Sequence, residues 1–265
     1  MKAHVAGIGL FAPGLESWAT GRASLMHRQD YVAAPLTIAA PAICPPNERR
    51  RMTSAIRIAL QSALQAVASS GLEASAIPTV FASSEGDLDV IHHLCTALTL
   101  PGHPVSPTHF HNSVHNAPAG YWHLGQQSHA CSTSLSAGDA SVAAGLIEAL
   151  TMLTIEQCPV LLVAYDAPTP ARLHARCPID APFGMALLLA PATNAMEAPL
   201  IAVRPPVVAA SGSSMAHPAL EALRQGNPAA RSLPLLRALA LDQRLSVTLP
   251  YLDDAFLPID IEPCC

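Results

Sequence analysis

Charge is scarce in this chain. Asp, Glu, Lys and Arg make up 12% of its 265 residues, against 51% apolar residues. So little charge leaves a poorly covered surface, which favours a large buried interface with another chain. Lys2 is the only lysine, which closes mechanisms built on a lysine Schiff base or a lysine base. The 14 basic residues are spread along a chain of formal charge −5, which excludes the basic footprint of a nucleic-acid binder. The seven cysteines are an odd number without a C-x-x-C pair, so they read as reduced thiols of the cytoplasm rather than a disulfide framework. Long apolar runs are also missing, so no bilayer-spanning segment is expected. The start imitates a signal peptide until Pro13-Gly14 and Glu16 interrupt it.

What is present alternates between short apolar runs and helical patterns. Val5 to Leu10, Pro78 to Ser83, Pro159 to Tyr165 and Ala186 to Ala190 read as buried strands. Between them, Ile56, Leu60, Ala63, Leu64 and Val67 form one helical stripe, capped by Asn47 and stopped by Gly71. Helices are also expected over Leu88 to Leu98 and Ala137 to Leu153, with Asp139 capping the second or complementing its dipole. Residues 33 to 46 and 101 to 118, rich in proline, read as loops. After Pro191 the order weakens, leaving a short irregular tail with one helix near Ser232 to Leu241. The pattern predicts an α/β layered fold with a domain over 1–190 and a tail over 191–265.

Cys131 is the residue with the most chemical interest. In a turn entering the helix at Ala137, its thiol would meet unpaired backbone N–H groups and the positive end of the dipole. Both favour a thiolate and can stabilise an oxyanion formed on a thioester. An inert buried thiol is the competing reading.

Ala130-Cys131-Ser132-Thr133-Ser134-Leu135 resembles the nucleophile motif of the ketoacyl synthases. Val5-Ala-Gly-Ile-Gly9, Glu48-Arg-Arg-Arg-Met52, Ser106-Pro107, Ser113 to Gly120 and Pro182-Phe-Gly184 are similar to other segments of that family in the same order. His111 to Trp122, Ser141 to Glu148 and Val163-Ala-Tyr-Asp166 resemble a short subgroup that includes chain-length-factor-type partners of ketosynthases in aryl polyene pathways. The resemblance implies the N-terminal half of a thiolase-like fold, no cofactor, a heterodimer with a complete ketosynthase, and passing contact with an acyl carrier protein. It also places His111, Asn112, His115, Asn116, Ser132, Thr133 and Ser134 around an acyl tunnel or subunit interface.

The family's condensation chemistry needs two histidines from its second half. Past Ala190 this chain offers only His217, so it is expected not to condense acyl chains alone. Cys131 is then a vestige, an acylated or acyl-binding thiol, or an ordinary buried one. A stand-alone thioester acyltransferase or hydrolase using Cys131, with His111 or His115 as base, is the alternative function. Arg49, Arg50 and Arg51 form a solvated basic turn or meet an acidic partner. His109, His111 and His115 have metal-like spacing, but the prolines around them favour structural hydrogen bonding, and no metal is expected. His92 and His93 are helix neighbours that face different ways. Gly7-Ile-Gly9 lacks the third glycine of a phosphate loop, and Cys264-Cys265 is not a prenylation box.

Overall fold

The apolar runs become strands of one sheet: β1 (Lys2–Phe11), β2 (Thr79–Ala82), β3 (Ser132–Leu135), β4 (Val160–Asp166), β5 (Phe183–Pro191), β6 (Leu200–Val203), β7 (Val207–Val208), β8 (Leu245–Pro250) and β9 (Ala255–Glu262). Their order in space is β3-β2-β4-β5-β1-β6-β9-β7, with β8 paired to β9. The computed structural model describes residues 1–193, 196–208 and 211–264; Cys265 lies outside them. β3, β2 and β4 are mutually parallel, whereas β5, β1, β6 and β9 follow in antiparallel pairs. Every residue of β4 and β5 is buried, as strands covered on both faces must be.

The helices are α1 (Trp18–Leu25), α2 (Pro46–Arg51), α3 (Ser54–Ser70), α4 (Leu88–Thr99), α5 (Pro107–Asn112), α6 (Ala117–Gln126), α7 (Ser141–Glu156), α8 (Ala171–His174), α9 (Pro218–Gln225) and α10 (Leu233–Leu241). On one face of the sheet α3 presses directly on β1 and β5. A Cβ on Gly9 would lie 1.9 Å from the Ser62 carbonyl oxygen, and one on Gly7 would lie 2.1 Å from that of Ala66. These glycines serve close packing and not phosphate binding. On the other face α7 buries Val142, Leu146, Leu150 and Leu153 in a core shared with α10.

Several expectations are corrected. The stripe helix is split in two, and Thr53, not Asn47, caps α3 by accepting from Ile56 N at 3.3 Å. The stretch 101–118 is not a loop throughout, because Pro107 and Pro118 stand in the first turns of α5 and α6, where a missing N–H costs nothing. Asp139 does not cap α7. It pairs with Arg231 at 3.1 Å, while Ser141 Oγ accepts from Ala137 N at 3.0 Å. The described residues past Pro191 are not irregular throughout, since β6 and β9 extend the sheet and α10 packs in its core. Gly138–Glu156 is long and apolar enough, at a mean hydropathy of 1.3, to cross a membrane by length and composition; half of it is buried inside the fold.

Candidate functional site

β3 is an edge strand, and the two ends of it hold the residues of interest. Among the described residues its backbone pairs only with β2, in the register Thr79↔Ser132 to Ala82↔Leu135. Cys131 precedes this strand and stands at its N-terminal end, where its carbonyl accepts from Thr79 N at 3.0 Å. The turn into α7 comes only after the strand, at Ser136, Ala137 and Gly138, and Gly138 has φ +54°. The four residues of β3 separate Cys131 from Ser136, five extended steps or about 16 Å. The thiol therefore does not sit at a helix N-terminus, and it is exposed, which removes the buried-thiol reading. The six-residue motif runs along the strand instead of forming the turn.

The predicted histidine bases are elsewhere. His115 Nε2 lies 3.0 Å from the Leu135 carbonyl, at the far end of β3 from Cys131. His111 stands edge-on to Tyr121 with ring centroids 6.2 Å apart. His123, which the sequence did not single out, stands near the start of β3, where His129 also lies two residues before Cys131. The His123 Nε2 is 3.4 Å from Thr79 Oγ1, whose hydroxyl donates to Ser132 Oγ at 2.8 Å.

Of the expected tunnel residues, Asn116, Ser132 and Ser134 line one cavity of about 460 Å³, open beside β3 and shared with His123. A second cavity of about 270 Å³ is walled by His111, Val114, Asn116, Tyr121 and Leu124. Asn116 is common to both. Asn112 is structural, donating to the Arg51 carbonyl at 2.8 Å and accepting from Tyr121 OH at 3.3 Å. Thr133 Oγ1 donates to Glu148 at 3.2 Å and so faces α7. Among the described residues, no group of three His, Cys, Asp or Glu side chains is arranged to hold a metal.

At the other end of β3, sequence reasoning missed a buried carboxylate. Asp166 closes β4 and is 1% exposed. Its Oδ1 accepts from Ser83 Oγ at 2.9 Å, Ser84 N at 2.9 Å and Ser84 Oγ at 2.8 Å, and its Oδ2 accepts from Ala229 N at 3.0 Å. Asn227 Nδ2 reaches the Asp166 and Ala181 carbonyls. Ser136 Oγ donates to the Ser84 carbonyl, so the turn into α7 is tied to the same knot. Burial pushes Asp166 up to about 6 against the pull of these donors. The signal was available: Asp166 directly follows an apolar run, and two serines directly follow the neighbouring one.

Several of the exposed apolar residues lie on α4, α5 and α6. α4 buries only Val90, leaving Ile91 and Leu98 exposed, and Phe110 on α5 is 69% exposed. Val114 and Leu124, which wall the smaller cavity, are also exposed.

No curated protein sequence matches the chain. Solved structures do. It aligns over 98% of its length, and 99% of the other chain, with the complex of the ketosynthase ApeO and its chain length factor ApeC from Xenorhabdus doucetiae, at 21% identity and TM-score 0.76. The ishigamide ketosynthase/chain length factor aligns over 100% of both chains at 13% identity and TM-score 0.73. A beta-ketoacyl synthase from Burkholderia phymatum STM815 aligns over 71% of this chain and 59% of its own, at 18% identity and TM-score 0.58. The architecture is thus the thiolase-like α/β layered fold of these proteins. The beta-ketoacyl synthase N-terminal domain model matches residues 18–248. With most of its length inside that match, the chain belongs to the beta-ketoacyl synthase N-terminal domain family.

Proposed function

We propose that this chain is a non-catalytic, chain-length-factor-type subunit. It pairs with a complete beta-ketoacyl-ACP synthase and helps set the length of an acyl or polyene chain in fatty acid or aryl polyene-type synthesis. The acyl carrier protein is a passing contact of the pair. One observation carries the reading: the turn from β3 into α7 presents Ser136 and Ala137, with the Ser136 hydroxyl engaged by Ser84, while Cys131 stands at the opposite end of the strand. A nucleophile set on the strand-to-helix turn would share its environment with the N–H groups that stabilise an oxyanion; Cys131 has no such neighbours.

The open β3 edge and the apolar surface of α4 and α5 support pairing with another chain. The cavities beside Asn116 support a place for an acyl chain at that junction. In this reading Val114 and Leu124 bear on product length.

Co-expression with a complete ketosynthase from the same organism tests the proposal. A one-to-one complex by mass in solution is expected, with substitution of Val114 or Leu124 changing product length. Acyl-thioester turnover by the isolated chain, lost in Cys131→Ala, would instead establish the stand-alone enzyme.

A further inference from the structure

Histidine is concentrated on the surface that the heterodimer reading gives to the partner. α4 carries His92 and His93, and α5 carries His109 and His111. They lie among the exposed Ile91, Leu98 and Phe110. The rings of His93 and His109 stack face to face across the two helices, with centroids 4.7 Å apart and planes within 16°. His92 lies 5.8 Å from His93, ring to ring.

We propose that this cluster makes partner binding proton-controlled: the surface docks with its imidazoles neutral and is released as they take up protons. The inference rests on the heterodimer reading and adds regulation to it. A neutral imidazole enters a largely apolar interface with its few polar contacts intact, whereas an imidazolium must be stripped of water there.

The neighbouring charges bear on how many protons the cluster accepts. Asp89, one turn away on α4, is 3.6 Å from His93 Nε2, an ion pair when that ring carries a proton. A second on the stacked His109 would put like charges less than 5 Å apart. The packed α8 adds Arg172 and His174, and His174 is held by Asp180 at 2.8 Å. The carboxylates of Asp87, Asp89 and Asp180 and the Arg172 guanidinium thus stand on the elements around the cluster.

The test compares the affinity of the full chain for a complete ketosynthase at pH 7.5 and pH 5.5. Binding about tenfold weaker at pH 5.5 is expected, and the His92→Gln, His93→Gln, His109→Gln triple variant should bind almost equally at both. Calorimetry of the unaltered chain near pH 6.3, in two buffers of different ionisation heat, should show about half a proton released on binding. Complex formation with equal affinity at both pH values and no proton release would overturn proton control. Absence of any complex at pH 7.5 would overturn the heterodimer reading beneath it.

Discussion

The two ends of β3 differ in almost every physical respect. At the N-terminal end, Cys131 is exposed, beside an open cavity. At the C-terminal end, Ser83, Ser84, Asp166 and Asn227 are buried and joined by hydrogen bonds from three separate stretches of chain. The reactive residue type is at the loosely built end, and the tightly built end carries serines, an amide and a carboxylate. Precision of construction, not the presence of a thiol, marks where this fold is constrained.

The sharpest way to break that contrast is Asp166→Ala. It leaves four buried donors without an acceptor, and a loss of about 3 to 5 kcal/mol in urea unfolding is expected. Next comes pH. Asp166 binds its proton more tightly folded, at about 6, than unfolded, at the ordinary 3.8. Its contribution is therefore fully present below the lower value and lost as pH rises through the higher, by about 3 kcal/mol. Glu221, lowered to about 2 chiefly by its hydrogen bonds from Arg224, acts in the opposite sense but only in acid below about 4.5. Between pH 5 and 7.5 stability should fall with rising pH, and Asp166→Asn should flatten the curve.

Ser136→Ala removes one bond to the knot and should cost about 1 kcal/mol in the same assay. Cys131→Ala should change stability by less than about 0.5 kcal/mol. In native protein, Cys131 should be alkylated well before Cys44, which is 3% exposed and directs its Sγ to the Tyr121 carbonyl at 3.4 Å. A Cys131 that labels no faster, or matters as much as Asp166, would erase the distinction between the ends.

The central layers were legible because burial on both faces leaves an unbroken apolar run, as in Val160 to Tyr165, and because α7 is apolar along its length. The edge was not. β3 is four residues long and reads Ser-Thr-Ser-Leu, with no alternation to set it apart from a turn, so the helix entrance was placed too early. The strands past Pro191 were hidden for a related reason. Pro258 lies in β9 opposite the gap between its pairings to β6 and β7, a place where a strand tolerates a missing N–H. Asp166 was visible as a residue, but its role depends on β2 and β4 ending side by side, which is a fact of topology. The resemblance gave the family, while the segment that carried it most strongly forms β3 and not the turn before α7.

The place of β1 in the sheet also bears on how the protein is made. β1 is the first strand synthesised, yet its partners are β5 and β6, in registers such as Ala3↔Pro191 and Lys2↔Ala202. Until the ribosome has delivered those residues, Val5 to Phe11 has no edge to join, and α3 lacks β5, one of the strands it packs on. Such long-range closure folds slowly and leaves an apolar segment uncovered during synthesis. A chain stopped before β5 should therefore aggregate rather than fold, and the last third of the sequence is what allows the first strand to find its place.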